Sequence, residues 1–248
     1  MLSENPESRR ERGAQAVGYA FKMNGSVQAT TRHRKAAAPA APPKRAYDAE
    51  MSMADILAVA TAEFADKGLS GARIDEIAAA TRTSKRMIYY HFGSKEGLYL
   101  AVLERSYQRI REIESGLNLE DLEPEDALRK LVAFTFDYQH DNEDFIRLVM
   151  TENIHRGEFL ARSETIQQLN VPAIHAVQRV YERGVAAKVF RQGIDPIDLH
   201  MSISALSFFN VANRHTFSLI FKRDLESPAA LRARRDSIVE MIVRFVRK

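Results

Sequence analysis

The chain contains no cysteine. This excludes disulfides, thiolate zinc sites and a cysteine nucleophile, and it fits a reducing compartment. No apolar run approaches the roughly 20 residues that a membrane helix needs. The nearest stretch, 203–212, is broken by Ser204, Ser207 and Asn210. The N-terminal residues show no signal-peptide apolar region, because Ser, Glu, Arg and Gly interrupt them throughout. A cytoplasmic location with no membrane partner is therefore the expectation. Charge of one sign is also missing: 36 Lys and Arg face 33 Asp and Glu, a net +3, so bulk charge names no partner. Catalytic signatures are absent as well, with no Gly-x-Ser-x-Gly, phosphate loop or dinucleotide fingerprint. The seven histidines (His33, His91, His140, His155, His175, His200 and His215) form no i,i+4 pair and no His-Glu-x-x-His. No metal and no cofactor are expected. Carboxylate pairs such as Glu120-Asp121 lie in loop-like sequence, so no enzyme is expected either.

What the chain does have is apolar residues, 45% of its 248, arranged almost wholly at helical spacing. No segment alternates like a strand, so the class is all-α. Residues 1–47 stand apart. Ala36-Ala-Ala-Pro-Ala-Ala-Pro-Pro43 is low in complexity, and arginine and lysine outnumber acids there. Too little apolar surface is present to offset the entropy of ordering, so a disordered basic Ala/Pro-rich tail is expected. Such a tail is a solvated linker, an arm that reaches along DNA phosphates, or an extension upstream of a translation start at Met23.

Ser52 fits an N-cap with Asp55 three residues on. Ile56, Leu57, Ala60 and Phe64 follow on one face, and Lys67-Gly68 ends that helix. A second helix is predicted from about Arg73 to Ala80, with Asp75 and Glu76 in its first turn, where the macrodipole favours acids. Thr81-Arg82-Thr83 is a short turn, and Ser84 is a natural cap for a third helix. Two short helices joined this way make a helix-turn-helix. In the third helix, Met87, Ile88 and His91 or Phe92 are predicted to anchor the inner side. Ser94 caps a fourth helix that runs to about Ser115.

The stretch around the third helix carries the strongest chemical signal. Arg82, Lys85, Arg86, His91 and Lys95 fall within 14 residues, and no Asp or Glu occurs between Ile77 and Glu96. A surface of this kind attracts phosphate, and residues near the start of such a helix reach base edges. Arg86 or Lys85 suits guanine O6 and N7. Tyr89 and Lys95 suit phosphates, helped by the N-terminus of the fourth helix. The plainer reading is a solvated basic helix.

Residues 52–105 resemble the DNA-binding domain of the TetR/AcrR family of transcriptional regulators. The matching residues are Ile56-Leu…Ala60…Phe64…Gly68, Ile77-Ala78, Ser84, Ile88-Tyr-Tyr-His-Phe92, Ser94-Lys95 and Leu98. The resemblance implies that Ser84, Lys85, Arg86, Met87, Tyr89, Tyr90 and His91 contact bases or backbone, with Lys95 on the backbone. The chain departs from the family in two places. Thr81-Arg82-Thr83 replaces the usual Ala-Gly-Val turn, so the backbone is altered there or a left-handed residue is tolerated, and Arg82 becomes a candidate phosphate contact. The usual threonine pair is replaced near Ala72-Arg73, which puts Arg73 where a hydroxyl would meet phosphate.

The second half reads as successive helices. Pro124-Glu-Asp opens one and Asn142-Glu-Asp another, which Gly157 interrupts. Glu164 to Gly184 contains Pro172, and a kink or break is expected there. Asp195-Pro opens a helix, nearly apolar all round, that is expected to run from Ile197 to about Leu219. Ser227-Pro-Ala opens the last. The resemblance implies a small-molecule effector, and the aromatics hint at an apolar or aromatic one. Candidate contacts are Phe134, Tyr138, Met150, His155, His175, Phe209 and Asn213; aromatics at helical spacing are also ordinary core. Ile197–Leu219 with Ile238–Phe245 is expected to form a two-fold, four-helix homodimer interface, although a single buried central helix fits the same pattern.

The expected organisation is a tail (1–47), a helix-turn-helix DNA-binding domain (48–111) and a helical effector-binding and dimerisation domain (112–248). The expected function is a homodimeric regulator on double-stranded DNA, a repressor released from a palindromic operator by its effector. The alternatives are an activator, a DNA-binding protein without a ligand, and an all-α ligand carrier or enzyme.

Overall fold

The structure, a computed structural model, describes residues 44–248, with side chains described from residue 53. The expectation of a disordered tail lies outside the described residues except at 44–47. Ten α-helices follow in order: α1 (Lys44–Gly71), α2 (Ile74–Ala80), α3 (Lys85–Phe92), α4 (Lys95–Ser115), α5 (Pro124–Asp141), α6 (Glu143–Ile154), α7 (Glu164–Ala186), α8 (Pro196–Ala212), α9 (Arg214–Phe221) and α10 (Pro228–Val246). Among the described residues there is no strand, only an isolated bridge between Phe190 and Arg247. The all-α class holds.

Most helix starts follow from local capping. The hydroxyls of Ser84, Ser94, Ser163 and Ser227 accept from the backbone N–H three residues on, and the Asp195 carboxylate accepts from Ile197 N at 2.7 Å. Each satisfies a donor that the first turn would leave orphaned. Pro124, Pro196 and Pro228 occupy first-turn positions, where no N–H is missed. Gly68 takes φ 66°, so the α1 helix proper stops there and Leu69–Gly71 is a separate turn.

Four expectations need correction. α1 starts at Lys44, so Ser52 lies inside a helix rather than capping one. The Asn142 side chain does not cap α6; its amide donates to Tyr138 O at 2.8 Å and closes the end of α5. α7 runs through Pro172 without a break. Pro172 is exposed, as is Gln168, whose carbonyl loses its partner where water replaces it. The apolar run 197–219 is two helices, α8 and α9, divided at Asn213.

Two apolar clusters position everything else. The first joins α1–α4 through Ile56, Phe64, Ile77, Ile88, Leu98 and Tyr99, and it is completed by Leu148 of α6 with Phe159 and Ile166. Phe64, Tyr99 and Phe159 meet edge to face, with centroids 5.1 and 5.4 Å apart. The second is built from α5, α7, α8 and α10. Gly184 is required there, because a Cβ would stand 1.9 Å from the Phe190 ring.

Candidate nucleic-acid interface and effector cavity

α2 faces the core with Ile74, Ile77 and Ala78. α3 does so with Ile88 alone fully buried, and half-buried Phe92 packs beside it. The rest of α3 is therefore surface. Met87 is 42% exposed, so it is not an inner anchor as its spacing predicts. Tyr90 is 78% exposed, and Ser84, Lys85, Arg86 and Tyr89 are exposed with it. His91 is half-buried, its ring between those of Tyr90 and Phe92 at 5.2 and 6.2 Å.

The turn between α2 and α3 keeps a left-handed residue without glycine. Arg82 has φ 53°. Thr83 N donates to Ala78 O at 3.0 Å, and the Thr81 hydroxyl donates to Ile77 O at 2.8 Å. These bonds satisfy the last carbonyls of α2 in the manner of a Schellman closure, with Arg82 at the position that glycine usually takes.

The cations are not equally available. Lys85 is paired with Asp75 of α2 at 2.7 Å, which holds the Asp75 carboxyl below its ordinary pKa. The absence of acids around α3 in sequence thus hides an acid that α2 brings beside it in space. The Arg73 guanidinium lies 3.9 and 4.0 Å from Asp75 and Glu76. Lys95 donates to Ser70 O at 3.3 Å, tying α4 to the turn after α1. Arg82 and Arg86 make no ion pair among the described residues.

The seven candidate ligand contacts are not brought together. Phe134 lines a cavity of about 470 Å³ enclosed by α4–α8. Tyr138 is buried beside the rings of Phe134 and Phe145 at 5.8 and 6.2 Å, and it borders a different hollow with Arg109. Met150 lies on an outer crevice between α1, α6 and α8. His155 turns its Nδ1 to Thr151 O at 2.8 Å, and His175 is exposed on α7. Phe209 is half-exposed, with its ring 5.8 Å from that of Phe217. Asn213 ends α8.

The polar wall of the large cavity is one that residue spacing did not reveal: Arg111 and Glu114 of α4, Gln139 of α5, Asn170 of α7 and His200 of α8. Arg111 and Glu114 form an ion pair with side chains only 13% and 9% exposed. Burial raises the Glu114 pKa and lowers that of Arg111, each against the pull of the other. Burial, with the Arg111 charge, also pushes the His200 imidazole below its ordinary value, so it is neutral. The readable signal was a glutamine on the apolar face of α5, in step with Leu128, Val132 and Thr135.

A head of three short helices presenting α3, carried on a larger helical body with an internal cavity, defines a helix-turn-helix regulator. The profile described as bacterial regulatory proteins, tetR family, matches residues 56–102, and that described as tetracyclin repressor-like, C-terminal domain, matches residues 124–242. The chain is 36% identical over 186 residues to the HTH-type transcriptional repressor NicS of Pseudomonas putida, covering 75% of this chain and 88% of that one. It is 32% identical over 141 residues to the HTH-type transcriptional repressor SCO4008 of Streptomyces coelicolor, covering 56% and 70%. A tetR-family regulatory protein from Rhodococcus RHA1 shares the fold at a TM-score of 0.62 and 22% identity, over 79% of this chain and 96% of that one. The chain belongs to the TetR family and is a DNA-binding transcriptional regulator rather than an enzyme.

Proposed function

We propose that this regulator is a homodimeric repressor that leaves a palindromic operator when a small molecule fills the cavity between α4 and α8. In this reading residues 48–111 are the DNA head, and residues 112–248 bind effector and partner. The observation that carries the reading is α3 itself: capped by Ser84, fixed by Ile88, and otherwise exposed from Lys85 to Tyr90. Arg86, unpaired among the described residues, reads bases. Tyr89, Tyr90 and Met87 fill the groove beside it, and Arg73, Arg82, His91 and Lys95 are placed for phosphates. The names of NicS and SCO4008 support repression.

One recognition helix in one half-site gives little affinity, so two must be held in successive major grooves. The partner surface proposed is the outer side of α8 and α10, where Ile197, Met201, Phe209, Met241 and Phe245 are 40–60% exposed. In that setting α8 and α10 give one side to their own core and the other to the second subunit. α4 runs from Lys95 in the head to Arg111 and Glu114 in the cavity wall, so a ligand there biases how far apart the two α3 helices stand.

A gel shift with the DNA upstream of the chain's own gene tests this. The protein is expected to retard that fragment and not a scrambled one. Arg86→Ala and Tyr89→Ala are each expected to weaken specific binding by about 1–3 kcal/mol. Unchanged affinity in both variants would remove α3 from the interface.

A further inference from the structure

The chemistry of the cavity wall says which class of molecule fits it, and this inference rests on the effector reading above. The cavity is about 470 Å³, a size suited to a small organic ligand, and its walls include the aromatic side chains of Phe134, Phe145 and Phe208. Its charged groups cancel, because Arg111 and Glu114 are held against each other. Two buried polar atoms nevertheless lack partners: Gln139 Oε1, on a residue 6% exposed, and Arg111 Nε. A buried acceptor and a buried donor left unmade each carry a desolvation cost that a matching ligand group would remove.

We propose that the effector is a neutral, largely aromatic molecule that donates an O–H or N–H to Gln139 Oε1 and accepts from Arg111 Nε. A carboxylate fits poorly. To gain Arg111 it must displace Glu114 and leave that carboxylate buried without its cation. An ammonium meets the converse problem, since Glu114 is already engaged. The neutral imidazole of His200 adds no charge to either. A fully apolar molecule would fill the space and leave Gln139 and Arg111 unsatisfied.

Calorimetry of the full chain with four naphthalene probes tests the class: naphthol, its methyl ether, naphthoate and naphthylmethylammonium, all substituted at the same ring position. Naphthol is expected to bind about tenfold more tightly than its methyl ether, which keeps the acceptor and loses the donor. Both charged probes are expected to bind more weakly still. Gln139→Leu, with its fold checked by circular dichroism, is expected to erase the preference of naphthol over the ether, and Gln139→Met to behave alike. Tightest binding by a charged probe, a preference that survives both substitutions, or no binding by any probe would overturn the proposal. A gel shift with the same probes separates the two readings. Naphthol that binds through Gln139 but leaves operator affinity unchanged contradicts effector control and leaves the ligand class standing.

Discussion

Arg82 stands where a turn of this kind usually places glycine. Its φ of 53° costs a side-chain-bearing residue about 1–2 kcal/mol. Glycine would remove that strain but would bring back about 0.5–1 kcal/mol of unfolded-chain entropy. The two terms nearly cancel, so folding stability gives no strong reason to prefer arginine here. Its exposed guanidinium, one turn from Ser84, gives another: a phosphate contact. Arg82→Gly is therefore expected to leave the melting temperature nearly unchanged while weakening operator binding. The slope of log affinity against log salt should fall by about one. An unchanged slope would return Arg82 to a purely structural role. The missing glycine was visible in the sequence, and the backbone kept its left-handed residue all the same. Met87 was less legible. Helical spacing put it inward, but α3 is so short, and so firmly held by Ile88, that one neighbour of that anchor is left in solvent.

Single helices were read well wherever their ends depend on neighbours in sequence. Ser84, Ser94, Asp195 and Ser227 cap the helices they were expected to cap, because a cap needs only its own backbone. Pro172 and Asn213 were read less well. Whether a proline breaks a helix depends on whether the freed carbonyl meets water, and where an apolar run divides depends on what each half packs against. Gln139 belongs with these, since its meaning lies in neighbours from four other helices. The pairing of α2 with α3 was equally hidden. Asp75 holds Lys85 at 2.7 Å across the turn, with both side chains about half exposed. Such a pair is worth under about 1 kcal/mol to stability, yet it sets a carboxylate beside a surface meant for phosphate. Asp75→Asn is expected to change the melting temperature little and to tighten DNA binding, more at low salt than at high. Weaker binding in this variant would mean that Asp75 is needed to hold Lys85 in its reading position.

At the scale of the whole molecule, α4 could be recognised in advance as the link between head and body. α6 could not, because its role rests on contacts some eighty residues apart. Arg147 of α6 donates to Ala65 O at 2.6 Å and to Asp66 O at 3.2 Å, the carbonyls just before α1 ends at Gly68. It also lies 3.6 Å from the Asp66 carboxylate. One turn earlier, Glu143 pairs with Arg214 at the start of α9. Ile146 and Val149, on the same helix, line the effector cavity. α6 therefore touches the cavity on one side and caps a helix of the DNA head on the other, giving a second connection parallel to α4. If it transmits, the ratio of operator affinities without and with effector measures a coupling free energy that Arg147 helps carry. Arg147→Met keeps the aliphatic stem and removes the donors. It is expected to cost about 1–2 kcal/mol of stability, since two carbonyls of α1 lose a partner. It is also expected to shrink the effector-dependent ratio while leaving effector affinity near that of the parent protein. An unchanged ratio would assign the transmission to α4 alone and make Arg147 a structural clamp.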